Sequence, residues 1–362
     1  MKIGSIIENH EIERRVAITP EIAKKFINNG FEINIQKNYA SHLGFEDKDY
    51  EDVNVKILDN EKLVLEKSDI LAQLNLPSKS LLESLNQNKT LIGVLNPYQN
   101  KENLEELVKK KINCFSLELL PRITRAQSMD VLSSQANLAG YKAVVESFGN
   151  FEKAIPMMMT AAGTVPAAKV LVVGAGVAGL QAIATAKRMG AIVFATDVRT
   201  ASKEQVESLG GKFLSVEGSE NLETEGGYAK EASDEFKKKQ EDLLSETLKK
   251  IDIVICTALI PGKKAPIILK DNMLDNMNSG SIIYDLAAVQ GGNTSATKVD
   301  EVVVRNGVKI MGDSNILNKL AVSASNLYSK NIYNFILNLY DKEKKELNIN
   351  LEDEIIEKTI IK

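Results

Sequence analysis

Histidine, cysteine and proline are scarce in this chain, and each scarcity removes a class of explanation. Its 362 residues include two cysteines, two histidines and eight prolines. Cys114 and Cys256 lie in apolar, strand-like runs, one in each half, and read as small buried side chains. Neither a disulfide framework nor a zinc site is expected from them. His10 and His42 fall early, in polar surroundings, so no histidine stands out as a catalyst. Positive charge shows no excess either: Lys and Arg total 45 against 49 acidic residues, a formal net charge of −4. The pI is near 5.6, nothing draws the chain to polyphosphate surfaces, and no nucleic-acid partner is expected. Long hydrophobic runs are also missing. The stretch MKIGSIIENHEIERR has no extended apolar region and no small-residue cleavage site, so no secretory signal is expected and the chain reads as cytoplasmic. The longest charge-free apolar run, Val170 to Ala186, is interrupted by three glycines and contains Gln181. It reads as strand, turn and helix, with no direct membrane insertion.

What is present is an ordinary globular composition, 44% hydrophobic and 26% charged. The length exceeds what one hydrophobic core usually serves, so two domains are expected. Strand-like runs at 2–7, 31–36, 69–75, 90–95 and 113–119 alternate with helical patterns such as PEIAKKFINNG, the mark of a parallel sheet built from crossovers. A second series follows at 169–174, 191–197, 252–258, 281–287 and 308–313. Two long helical patterns flank it, one from about Ser128 to Phe148, rich in small residues, and one from about Leu320 to Tyr340 with an apolar stripe. The expected fold is α/β: two Rossmann-like open parallel-sheet domains joined by long helices. The first domain would comprise 1–127 plus 321–362, discontinuous in sequence, and the second 128–320. Residues 215–250 are charged and long for a connection, with Gly226-Gly227-Tyr228 before a helical run from about Ala229. A solvated helix, or a lid near 215–235 hinged at the glycines, would each account for them.

The most informative local pattern is KVLVVGAGVAGLQAIATAKRMGAIVFATDVR. Gly174, Gly176 and Gly179 form G-x-G-x-x-G after an apolar strand and before a helix, and Asp197 ends the next strand. This is the arrangement in which a tight turn, a close backbone approach to pyrophosphate and close helix–strand packing each need a glycine. The helix N-terminus would meet the phosphate charge, and Asp197 would accept from a ribose 2′-hydroxyl. A carboxylate there disfavours a 2′-phosphate, so NAD(H) is favoured over NADP(H). Arg199, two residues on, would lie along the adenine or argue the other way.

A dehydrogenase acting on an alcohol or amine must also move a proton, commonly through His or Lys. The carboxyl ends of the first strand series offer AQLNLP and GVLNPY, hence Asn75 and Asn96. Neither can act as a base near neutral pH. A polar stretch, PRITRAQSMD at 121–130, joins the two series and carries Arg122, Arg125, Gln127 and Asp130.

From end to end the chain resembles the NAD(H)-binding component of proton-translocating nicotinamide nucleotide transhydrogenases, relatives of the alanine dehydrogenases. The resemblance is carried by ERRVAITP, PRITRAQSMDVLSSQANLAGYKAV, VLVVGAGVAGLQAIATAKRMGA, TEGGYAKE, TALIPGKKAP and DLAAVQGGN. Alanine dehydrogenases have a substrate-binding lysine and a catalytic histidine where this chain has Asn75 and Asn96. Direct hydride transfer between two nicotinamides needs no such group. The resemblance implies that NADH bound here passes hydride to NADP+ held on a partner subunit, coupled to proton movement by membrane-spanning subunits. It implies a homodimer, peripheral on the cytoplasmic face of the inner membrane through those partners. Asp130 and Ser133 would hold the nicotinamide carboxamide, with Arg122 orienting Asp130 and Gln127 reaching toward the partner's nucleotide. Further NAD(H) contacts would be Ser128, Met129, Val177, Val198, Gly227, Tyr228, Thr257, Ala258 and Leu259. Ala232 replaces a methionine frequent in relatives after the lid tyrosine. Two other readings stay open: an alanine-dehydrogenase-like enzyme with another acid–base group, and an NAD-sensing module without turnover.

Overall fold

The computed structural model describes residues 1–199, 201–216, 233–259 and 263–362. These form two compact units, Met1–Gln135 with Leu317–Lys362, and Ala136–Ile316. The borders expected from the sequence are 127/128 and 320/321. Five helices carry the residues of interest: α1 (Pro20–Asn28), α2 (Val131–Asn150), α3 (Val177–Arg188), α4 (Ala321–Leu339) and α5 (Glu354–Thr359).

The first unit is built on six strands: β1 (Lys2–Ser5), β2 (Glu32–Gln36), β3 (Lys56–Leu58), β4 (Ile70–Ala72), β5 (Thr90–Gly93) and β6 (Asn113–Ser116). All neighbours are parallel, in the order β3-β2-β1-β4-β5-β6. The order reverses beside β1, which places the crevice of such a sheet beyond the carboxyl ends of β1 and β4. β4 and β5 are buried along their whole length, as central parallel strands covered on both faces are. Helix α1 starts on Pro20, whose missing N–H costs nothing there, and buries Ile22, Ala23 and Phe26 on one face. Helix α4 buries Ala324, Tyr328, Ile332, Phe335 and Leu339, and Phe335 meets Phe115 of β6 edge to face at 5.5 Å.

The second unit carries a seven-stranded sheet. Before it comes a separate hairpin, β7 (Met158–Thr160) with β8 (Gly163–Val165). The sheet strands are β9 (Lys169–Val173), β10 (Ile192–Thr196), β11 (Lys212–Phe213), β12 (Ile253–Cys256), β13 (Ile282–Asp285), β14 (Val303–Arg305) and β15 (Val308–Met311). Their order is β11-β10-β9-β12-β13-β15-β14, parallel except for β14. The Rossmann-like α/β class expected from the sequence is therefore present twice. β3, β11, β14 and the hairpin were not anticipated.

Helix α2 begins at Val131, three residues after the expected Ser128, because Asp130 caps it. Within the second unit its small residues have a geometric cause: a Cβ on Gly140 would lie 2.0 Å from the carbonyl oxygen of Ala178. The charged stretch yields a helix over Asp234–Leu248, with Leu244 and Leu248 buried. Gly226, Gly227, Tyr228 and Ala232, the expected lid, lie outside the described residues. No helix among the described residues is long and apolar enough to cross a membrane.

Candidate functional site

The glycine turn after β9 has the geometry its sequence requires. Gly174 sits at φ +92°, and a Cβ on it would come within 2.7 Å of the Thr257 hydroxyl and 3.1 Å of the Ala258 nitrogen. Gly179 packs tighter, since its Cβ would lie 1.9 Å from the Gly174 carbonyl oxygen. Gly176 differs. Among the described residues its Cβ would meet only Arg199 Nη2, at 3.9 Å, which leaves that side of the backbone open to them. It is also the N-cap of α3 and makes no side-chain capping bond. First-turn N–H groups with no side-chain acceptor among the described residues, at the positive end of a 12-residue helix, fit a pyrophosphate. Val177, the first residue of α3, is exposed.

Asp197, just past β10, is tied to this turn. Its Oδ2 accepts from the Ala175 N–H at 2.7 Å and from Arg199 Nη2 at 2.8 Å; its Oδ1 accepts from the N–H and Nε of Arg199, both at 2.9 Å. Burial pushes this carboxyl up, but the Arg199 and Ala175 hydrogen bonds outweigh it and hold the pKa below the ordinary value. Asp197 is therefore a fixed negative charge. The Arg199 side chain folds back onto it across the half-buried Val198, leaving the guanidinium beside Gly176.

The third strand end, after β12, contributes Thr257, Ala258 and the exposed Leu259. The Thr257 hydroxyl lies 2.9 Å from the Gly174 carbonyl oxygen and 3.1 Å from that of Val173. Ala258 is held through both backbone groups by the side chain of Asn293: its N–H donates to Oδ1 at 3.0 Å, and its carbonyl accepts from Nδ2 at 2.8 Å. Behind Asn293 stands Asp285, fully buried at the end of β13. It accepts from the N–H groups of Ala287 and Asn293 and from the Thr297 hydroxyl at 2.9, 2.7 and 2.6 Å.

In the first unit, 121–130 is an ordered segment, not a slack connector. Thr124–Met129 forms a 3-10 turn with Ala126 and Met129 buried. The Met129 side chain belongs to the core of its unit, which leaves its backbone for the expected contact. The Ser128 carbonyl accepts from Asn331 and Asn334 of α4 at 2.9 and 3.0 Å. Asp130 then caps α2: Oδ1 accepts from the Ser133 N–H at 2.9 Å and Oδ2 from the Ser133 hydroxyl at 2.5 Å. Asp130 and Ser133, the two residues expected at the carboxamide, are thus hydrogen-bonded to each other. Arg122 and Gln127 are exposed. Arg125 forks onto Asp353, with Nη1 at 2.8 Å and a second bond from Nη2.

At the strand ends of the same unit, both asparagines are engaged by carboxyl groups. Glu8 Oε1 accepts from Gln73 Nε2, Leu74 N and Asn75 N at 3.2, 2.8 and 3.3 Å, and Oε2 from Asn75 Nδ2 at 3.2 Å. Burial pushes Glu8 up to about 7 against the pull of the Leu74 and Asn75 bonds. The Asn96 N–H donates to Glu118 at 2.6 Å. Burial raises Glu118 too.

Family models described as "Alanine dehydrogenase/PNT, N-terminal domain" and "Alanine dehydrogenase/PNT, C-terminal domain" match residues 5–139 and 143–362. The chain is 45% identical over 366 residues to the first portion of an NAD(P) transhydrogenase subunit alpha from Rickettsia prowazekii, covering 100% of this chain and 94% of the relative. This chain belongs to the alanine dehydrogenase/PNT family, on its transhydrogenase alpha-subunit side. A solved transhydrogenase of Sinorhizobium meliloti matches with a TM-score of 0.88 at 41% identity, covering 99% of this chain and 98% of that one. An L-alanine dehydrogenase matches with a TM-score of 0.83 at 19% identity, covering 99% and 94%, which shows the shared fold.

In this transhydrogenase-family chain, Gly174, Gly176, Gly179, Asp197, Arg199, Thr257 and Ala258 come together in the second unit. Arg122, Gln127, Ser128, Met129, Asp130 and Ser133 belong to the first. Sequence reasoning missed Asn293, Asp285, Asn331 and Glu8. DLAAVQGGN held the signal for the first two: Gly291 and Gly292, at φ +101° and +79°, turn the chain so that Asn293 returns beneath Asp285.

Proposed function

We propose that this chain is the NAD(H)-binding subunit of a proton-translocating transhydrogenase. NADH, when bound, supplies the hydride, and NADP+ on a partner subunit receives it. The open backbone at Gly176, beside the uncapped start of α3 and the fixed charge of Asp197, carries the reading. That combination suits a pyrophosphate followed by a ribose without a 2′-phosphate. Asp130 and Ser133 present acceptor and hydroxyl to a carboxamide, which has both donor and acceptor capacity. Gln127, exposed on the same segment, reaches toward the partner's nucleotide. Catalysis is then a matter of positioning and water exclusion. Proton coupling resides in membrane-spanning partner subunits, which hold this chain on the cytoplasmic face. The working form is a homodimer whose contact includes the hairpin β7–β8. Residues 154–168 contain no charged side chain, Met159 is 80% exposed, and a two-stranded hairpin is marginal alone.

One observation favours a second reading, an amino-acid dehydrogenase: a carboxyl that titrates near 7 at a strand end is what a general acid–base group needs. Against it, both Glu8 oxygens are spent on Gln73, Leu74 and Asn75. The purified chain is expected to bind NADH, read by nicotinamide fluorescence, and to leave NAD+ unreduced in the presence of L-alanine. Sustained NAD+ reduction with L-alanine would overturn the transhydrogenase reading in favour of the second.

A further inference from the structure

We infer that Asn293 is a positioning residue for dinucleotide binding, fixing the loop after β12 against the glycine turn so that both can engage one NADH. The inference rests on the NAD(H) reading and concerns how that same site is built. Asn293 is fully buried although its side chain ends in a polar amide. An amide offers an acceptor and two donor hydrogens at one planar end, and here every one of those functions is used on backbone. Oδ1 accepts from the Ala258 N–H at 3.0 Å, and Nδ2 donates to the carbonyls of Ala258 and Pro266 at 2.8 and 2.9 Å. One side chain therefore ties the backbone of Ala258, just past β12, to that of Pro266.

The support behind Asn293 is rigid. Its N–H donates to Asp285 at 2.7 Å, and its carbonyl accepts from Ile268 and Leu269 at 2.8 and 2.9 Å. On the other side, Thr257 bonds into the glycine turn through its hydroxyl. Hydrogen bonds linked by the backbone of Asn293 and of Thr257-Ala258 thus connect the end of β13 to Gly174. Neither Asn293 nor Asp285 needs to touch the nucleotide for this to matter. Binding affinity is lost when two halves of a site must first be brought into register.

The test compares NADH dissociation constants, read by nicotinamide fluorescence, with melting temperatures for the parent chain, Asn293→Asp and Asn293→Ser. Asn293→Asp keeps the acceptor for Ala258 but turns a second oxygen toward two carbonyls. The expected result is NADH binding weakened about tenfold or more in the folded variants, the loss of one to two net hydrogen bonds. A lower melting temperature with an unchanged dissociation constant would assign Asn293 a structural role only and overturn the inference. If Asn293→Asp does not fold, Asn293→Ser, small enough to admit a bridging water, decides by the same comparison. Failure of the parent to bind NADH would sink the NAD(H) reading and this inference together. Parent binding matched by the variants would sink the inference alone.

Discussion

A carboxyl group buried beside several N–H donors is under two opposed demands, and at Glu8 burial prevails, pushing its pKa up to about 7. The sign of the consequence follows from linkage. A folded-state value raised above the unfolded one contributes stability below the unfolded value, lost as pH rises through the folded value. Between the ordinary 4.5 and about 7 the protonated native form loses its advantage, which amounts to roughly 3 kcal/mol. Thermal unfolding of the parent and Glu8→Gln at pH 5 and pH 8 isolates this from the other carboxylates. The variant is expected to gain on the parent by several degrees at pH 8 relative to pH 5; parallel behaviour would show that Glu8 is ionised throughout. The sequence showed that Asn75 and Asn96 stand where a base is missing, but not that Glu8 and Glu118 fill the space beside them. Burial of a polar residue in a loop leaves no periodic trace.

The segment 121–130 owes its order to neighbouring elements rather than to itself. α4 holds its Ser128 carbonyl, and Arg125 holds Asp353, which caps α5 by accepting from the Ile355 N–H at 2.9 Å. An exposed ion pair contributes little, an N-cap about 1 kcal/mol. Urea unfolding should therefore show Asp353→Ala less stable by ~1–2 kcal/mol and Arg125→Ala by less than ~1 kcal/mol. NADH binding by Arg125→Ala should match the parent, because its fork is turned to Asp353; a tenfold loss would give Arg125 a ligand role. Elements were legible in proportion to their burial. The central strands read directly as apolar runs, whereas β3, β11 and β14 are two or three residues long with partly exposed side chains. The start of α2 was readable in principle, since an aspartate immediately before an apolar periodic run is an N-cap signal. It was missed because the apolar pattern runs through Ser128.

On the scale of the whole molecule, two doubly wound units from one chain account for the length and the alternation of strand and helix. The family membership was legible because its motifs, from ERRVAITP to DLAAVQGGN, span nearly the entire sequence. The hairpin was not, because PMMMTAAGTVP shows neither a strand's alternation nor a recognisable two-residue turn. It sets a test of assembly: sedimentation should give a dimer for the parent and a monomer for the double substitution Met158→Asp with Met159→Asp. A monomeric parent, or a dimer indifferent to those charges, would remove the hairpin from the contact. The central claim is that this chain is one half of a hydride exchange, and mixing tests it most directly. NADH, NADP+, this chain and its NADP(H)-binding partner component are combined, and NADPH formation is followed, with each protein omitted in turn. Exchange that requires both proteins is the predicted result; NADH binding without any exchange in the complete mixture would contradict it.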